Sequence, residues 1–248
     1  MARPLGKSWQ NHYTFPMRKQ QEIWEREHTK QEALPSMASV EPDRSVVVFA
    51  EYLADYQLKP LHRSVIDIGC GKGRNAIYLA TLGYEIYGLD YIQLAIDTAC
   101  QLAEERNVSD RVHLFRAEID KPWPFVDHFF DVAIDCFSSI DIETEEGRVM
   151  YKQEMYRTLK PGGYALVTVV SADDEIENEL IKRYPGGEKN STLWPTNGKF
   201  QKDYSEEELR TFYREFDIAE LRAIQQPAVK LGRGFTATNY WIVLKKPE

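Results

Sequence analysis

The sequence predicts an α/β protein built on a doubly wound sheet of about seven strands, mostly parallel, with a C-terminal antiparallel hairpin. Apolar runs of strand length alternate with helical patterns from Val65 to Val170, the order expected of a parallel sheet with helices on both faces. The runs at Val65–Ile68 and Tyr164–Val170 show little polar alternation, as strands covered on both sides do. Two further runs, Phe216–Ile224 and Thr236–Leu244, flank a turn-rich link with Gly232 and Gly234 and read as a hairpin. With 248 residues, 43% of them hydrophobic, one substantial core is a better expectation than two domains.

Residues 1–17 are rich in rings, with Trp9, His12, Tyr13 and Phe15 ahead of Pro16, and are expected to dock on the body of the protein. Arg18–Ala33 has strong helix propensity but is mostly charged; with Ile23 and Trp24 as its main apolar contacts, it reads as a surface helix with a solvated face. Pro35 and Pro42 break it. A second helix follows, with Asp43 as N-cap and Val46, Val47, Phe49, Ala50 and Leu53 as its buried face.

The strand at Val65 then runs into Gly69, Gly71 and Gly73 and a helix with the apolar face Ala76, Ile77, Leu79 and Ala80. Such a turn lets a ligand approach the backbone, and free amides at the helix start favour a polar or anionic group. Tyr84–Asp90 is the second strand, Ile92–Arg106 a helix and Val112–Ala117 the third strand. DKPWPF carries the chain to a fourth strand, Phe130–Phe137, and a helix over Glu143–Leu159 is stopped by Pro161 and two glycines ahead of the fifth strand, Tyr164–Val170. Asp173–Tyr184 is helical. Pro185–Asp203 is a long polar stretch of the kind that forms lids and binding elements, and Ser205–Glu208, SEEE, is a capping box opening a short helix.

The net charge of -8 argues against broad binding to nucleic acid or anionic membrane. No basic-then-apolar leader pattern is present, and no apolar run approaches the roughly 20 residues that span a bilayer, so a soluble, cytoplasmic protein is expected. The cysteines Cys70, Cys100 and Cys136 are widely spaced and odd in number, suggesting neither a disulfide framework nor a metal site. Cys70 and Cys136 read as packing residues rather than nucleophiles.

A dinucleotide fingerprint would need glycine at position 74, where Arg74 stands; the spacing is DxGxGxG from Asp67. With GLD ending on Asp90, FDVAIDCF over Phe130–Phe137 and LKPGGYALVT over Leu159–Thr168, the chain resembles class I S-adenosylmethionine-dependent methyltransferases. The resemblance runs in order through Val65–Thr168 and implies a Rossmann-like fold and S-adenosylmethionine as cofactor. It implies cofactor contacts at Asp67, Gly69, Cys70 and Gly71, at Asp90 and Tyr91 for the ribose, at Glu118 and Ile119 for the adenine, and at Asp135. Asp90 alone also reads as an ordinary helix cap, and the glycines alone as a tight turn.

GCGKGRNAIYLA is similar to the tellurite- and thiopurine-type branch, which acts on small molecules. Asp135–Ser138 reads DCFS, without the Asn/Asp-Pro-Pro-Tyr/Phe motif of enzymes that methylate base amines or glutamine amides. The implied organisation is a single methyltransferase domain: a helical lid segment (1–60), the cofactor core (61–172), an insert (173–204) and the C-terminal hairpin region (205–248). A small-molecule acceptor is expected, with no nucleic acid, membrane or metal partner. Trp9, Tyr13, Trp194 and Tyr204 are candidates to sandwich it. The catalytic residue stays open, with His12, Tyr13 and Asp135 as candidates. A protein- or RNA-directed methyltransferase and a non-catalytic cofactor-binding protein are the alternatives.

Overall fold

A computed structural model describes residues 19–29, 39–55 and 63–248. The interior strand β1 (Ser64–Ile68) has Val65, Ile66 and Ile68 with no exposed surface. It is flanked in parallel by β2 (Glu85–Asp90) and β4 (Phe130–Cys136), with β3 (Val112–Arg116) outside β2 and β5 (Leu159–Val170) outside β4. The hairpin β8 (Asp217–Lys230) and β9 (Arg233–Lys245) completes the sheet: β9 pairs antiparallel with β5, and β8 lies at the edge. The seven-strand order is β3-β2-β1-β4-β5-β9-β8, so the winding reverses between β1 and β4. Ligands of open α/β sheets collect at the carboxyl ends of the strands at such a point.

Two apolar cores cover the two faces. On one, α2 (Arg44–Asp55), α3 (Arg74–Thr81) and α4 (Gln93–Glu105) bury Phe49, Leu53, Leu79 and Ala103 with Trp241. On the other, α5 (Glu145–Thr158) and α7 (Glu206–Phe212) bury Tyr151, Met155 and Leu209 against Phe130 and Ile242. The predicted caps form: Asp43 Oδ1 accepts the Ser45 N–H, and Ser205 and Glu208 exchange both bonds of a capping box.

The structure extends several predicted elements. Strand β5 begins at Leu159, because Gly162 takes a left-handed φ of 72° and lets the Pro-Gly-Gly segment join the strand without a separate loop. The hairpin strands run past Ile224 to a turn at Leu231 and Gly232; their distal halves are polar and exposed, so no alternation marked them. Within the insert, β6 (Ser191–Leu193) and β7 (Phe200–Lys202) form a small antiparallel hairpin after α6 (Glu175–Arg183). The N-terminal helix α1 (Lys19–Thr29) is docked on that hairpin: Gln20 Nε2 donates to the Phe200 carbonyl and Gln20 Oε1 accepts the Phe200 N–H, both at 3.0 Å. Ile23 is buried and Trp24 half-buried, as the pattern suggests, while Glu22, Arg26 and Thr29 keep a solvated face; the buried Gln20 is the contact the composition did not announce.

Candidate functional site

A cavity of about 480 Å³ opens at the carboxyl ends of β1, β2 and β4, within the range of small-molecule sites. Its floor is the turn after β1, with Gly69 at φ 71° and Gly71 at φ 52°. A Cβ at Gly69 would fall 2.4 Å from Ser138 Oγ, so the turns after β1 and β4 touch there. A Cβ at Gly71 would meet nothing within 4 Å: this stretch of backbone faces open cavity.

Asp90, at the end of β2, fixes that floor. Its Oδ2 accepts the Gly71 N–H at 2.9 Å and its Oδ1 the Ile92 N–H at 2.8 Å. Each carboxylate oxygen can accept a second bond, so Asp90 keeps acceptor capacity toward the cavity it lines. Burial raises its pKa, and hydrogen bonds from the Ile92, Gly71 and Tyr91 amides oppose the rise. Beyond it, Tyr91, Glu118 and Ile119 continue the wall. That segment is held by Ala117 N–H donating to the Asp90 carbonyl at 2.9 Å and by Trp123 Nε1 donating to the Ile119 carbonyl at 3.0 Å.

Of the residues expected to bind the cofactor, Gly69, Cys70, Gly71, Asp90, Tyr91, Glu118 and Ile119 line the cavity together, whereas Asp67 and Asp135 do not. Asp67 is buried, its Oδ2 has no partner among the described residues, and burial followed by the charges of Asp135 and Asp90 pushes it up to about 7. Asp135 is wholly buried and committed to structure. Its Oδ2 accepts the Tyr151 hydroxyl at 2.7 Å, and its Oδ1 the Ser138 N–H at 2.8 Å, which sets the turn that meets Gly69. Cys70 and Cys136 line the cavity, but burial pushes both thiols up and leaves them poor nucleophiles.

The rings predicted to sandwich an acceptor are differently placed. Trp9 and Tyr13, like His12, lie outside the described residues. Tyr204 is buried in the core beside Phe212, and Trp194 donates to Gln201 with Lys230 over its ring; neither lines the cavity. The rings lining the cavity are Tyr91, Phe137 and, from α1, Trp24, with His28 one turn on and Lys199 of the insert hairpin held 4.3 Å from the Trp24 ring centroid. Lys199 Nζ also lies 3.6 Å from Asp141 Oδ1, and burial pushes Asp141 up to about 6. Gln226 reaches the same cavity from β8. Sequence reasoning missed Trp24, His28, Lys199 and Gln226 as cavity residues; the one signal was a lone tryptophan in an otherwise charged helix.

Behind the hairpin, Asp203 has no exposed surface; its Oδ1 accepts from Gln201 Nε2 at 2.6 Å, and its Oδ2 has no partner among the described residues. Burial pushes it up to about 8 from an ordinary value of 3.8. The folded state therefore holds a proton that the unfolded chain releases, and stability falls as pH rises between those two values. Asp203→Asn is expected to melt higher than the parent at about pH 8, with the gain fading toward about pH 4. Thermal unfolding at both pH values checks this, and an equal or lower melting temperature at about pH 8 refutes it.

Among the described residues no helix is long and apolar enough to cross a membrane, and no group of three or more His, Cys, Asp or Glu is placed to hold a metal ion. Residues 65–163 match the sequence model of a methyltransferase domain. An 86-residue stretch, 34% of this chain, is 38% identical to an uncharacterized methyltransferase of Schizosaccharomyces pombe and covers 57% of it. A 2-heptyl-1-hydroxyquinolin-4(1H)-one methyltransferase of Mycobacteroides abscessus is 35% identical over 111 residues, 44% of this chain and 47% of that protein. The chain thus spans about half the length of these curated relatives. A solved S-adenosylmethionine-dependent methyltransferase of Methanosarcina mazei shares the fold at TM-score 0.69 and 21% identity, over 79% of this chain and 97% of that one.

Proposed function

We propose, from the premise that this chain belongs to the class I S-adenosylmethionine-dependent methyltransferases, that it methylates a small, acidic acceptor such as a hydroxyl or thiol of a planar compound. The cavity suits the cofactor: Gly71 offers it bare backbone and Asp90 keeps acceptor capacity for a sugar hydroxyl. Asp90 would hold the ribose, Glu118 and Ile119 would border the adenine, and the turn after β1 would carry the amino-acid end. When bound, S-adenosylmethionine supplies an electrophilic methyl on a sulfonium sulfur that becomes a neutral thioether.

The observation that carries the reading is the roof. Helix α1 and the insert hairpin border the cavity with Trp24, Lys199 and Gln20, a roof that would limit the acceptor's size and exclude water while nucleophile and methyl align. Every carboxylate lining the cavity is already engaged: Asp43 with Arg74, Asp90 with the turn, Asp141 with Lys199, and Glu118, Asp120 and Glu143 with other neighbours. An acceptor that loses its proton readily needs alignment more than a base, and the hydroxyquinolone named for the Mycobacteroides relative belongs to that class.

The test is calorimetry with S-adenosylhomocysteine, then methyl transfer from labelled S-adenosylmethionine to N-hydroxyquinolones, phenols, thiols and amines. Binding, with turnover fastest on the most acidic hydroxyls and thiols, is expected. Label appearing instead in protein or RNA of a lysate refutes the small-molecule reading.

A further inference from the structure

Helix α1 carries a further cavity-lining group, His28, and the mechanism above leaves it without a task. Its Nδ1 is shut off from solvent and has no partner among the described residues, so Nε2 is the ring nitrogen a ligand can reach. The glycine turn sends Lys72 into the same cavity, directly after Gly71. The charges felt at the imidazole are Lys72 from that turn and Glu27 from its own helix, while Lys199, from the hairpin, sits over Trp24. Burial and then Lys72 push His28 down to about 4. A neutral imidazole and an ammonium thus line the cavity that the open backbone of the turn also lines, and an anion bound there would let the ring take up a proton and donate from Nε2.

We infer that His28 and Lys72 form the anion subsite for the carboxylate of the cofactor's amino-acid end, so that cofactor binding draws a proton onto His28 and seats α1 over the acceptor space. This rests on the methyltransferase reading and extends it: the lid is held by the cofactor before an acceptor arrives. The coupling is reciprocal, because whatever seats α1 must also tighten cofactor binding.

The experiment titrates the full chain with S-adenosylhomocysteine and with 5′-methylthioadenosine, which lacks the amino-acid portion, between about pH 5 and about pH 8. For the parent, affinity for S-adenosylhomocysteine is expected to rise as pH falls, with proton uptake read from the buffer dependence of the heat. Relative to it, 5′-methylthioadenosine stays flat; pH effects shared through Asp67 or Asp90 cancel in the comparison. His28→Gln removes the pH dependence, and His28→Ala and Lys72→Ala each weaken S-adenosylhomocysteine by about tenfold, or 1.4 kcal/mol, without changing 5′-methylthioadenosine. The double variant loses less than the sum of the two. Equal losses for both ligands would mean that His28 only supports α1, and no loss for either would place the carboxylate elsewhere; both overturn the inference. If neither ligand binds the parent protein, the methyltransferase reading itself falls.

Discussion

Asp90→Ala is expected to weaken S-adenosylhomocysteine binding by on the order of a hundredfold, the value of a strong hydrogen bond to a charged acceptor. The same carboxylate holds the Gly71 and Ile92 amides, so the unliganded variant also melts lower. Asp90→Asn separates the two roles. It keeps an acceptor for one amide but turns a donor toward the other, so the stability loss remains while the ligand hydroxyl still finds an acceptor. Calorimetry beside unliganded melting curves reads both effects. Binding by Asp90→Ala within about threefold of the parent would remove the ribose role.

Gly69 and Gly71 are expected to respond to alanine in opposite ways. At Gly69 the new methyl must take a left-handed φ, costing about 1–2 kcal/mol, and overlaps Ser138 Oγ at 2.4 Å, so Gly69→Ala is expected to lose about 3 kcal/mol of stability in urea unfolding. Adding Ser138→Gly should return the overlap part but not the φ part, a positive coupling in the double-mutant cycle. At Gly71 the methyl has space, and the stability cost is only about 1 kcal/mol. That space is the ligand's, and affinity for S-adenosylhomocysteine falls about tenfold. If Gly71→Ala binds as the parent does, the turn is not the cradle.

The contrast between these glycines also marks what could be read from the chain alone. The floor of the site is local: Gly69 and Gly71 follow β1 and Asp90 ends β2, two neighbouring strands whose order is written in the apolar pattern, so their meeting follows from the fold. The Asp43 cap and the Ser205–Glu208 capping box were legible because they too are local. Asp135 shows the limit of motif reading, because its place in the fourth-strand motif is that of a cofactor neighbour, yet a hydroxyl supplied by α5 turns it into an internal tie. The roof was not legible. Gln20 and Phe200 stand 180 positions apart, and the two bonds between the Gln20 side chain and the Phe200 backbone that tie α1 down are announced by no hydrophobic period. Trp24 and Lys199 likewise meet only in three dimensions, one in a charged helix and the other in a polar stretch.

The location of β9 bears on how such a chain reaches its native state. A strand drawn from residues 233–245 lies in the interior of the sheet, and its Trp241 Nε1 reaches back to the Ser45 carbonyl of α2, 196 positions earlier. As the polypeptide leaves the ribosome, β1 to β5 can assemble while the apolar margin of β5 stays uncovered, inviting pairing with another nascent chain. Contacts of such long sequence separation form slowly. Synthesis that stalls anywhere between β5 and β9 therefore leaves a product with its glycine turn and Asp90 in place and an adhesive seam along one side.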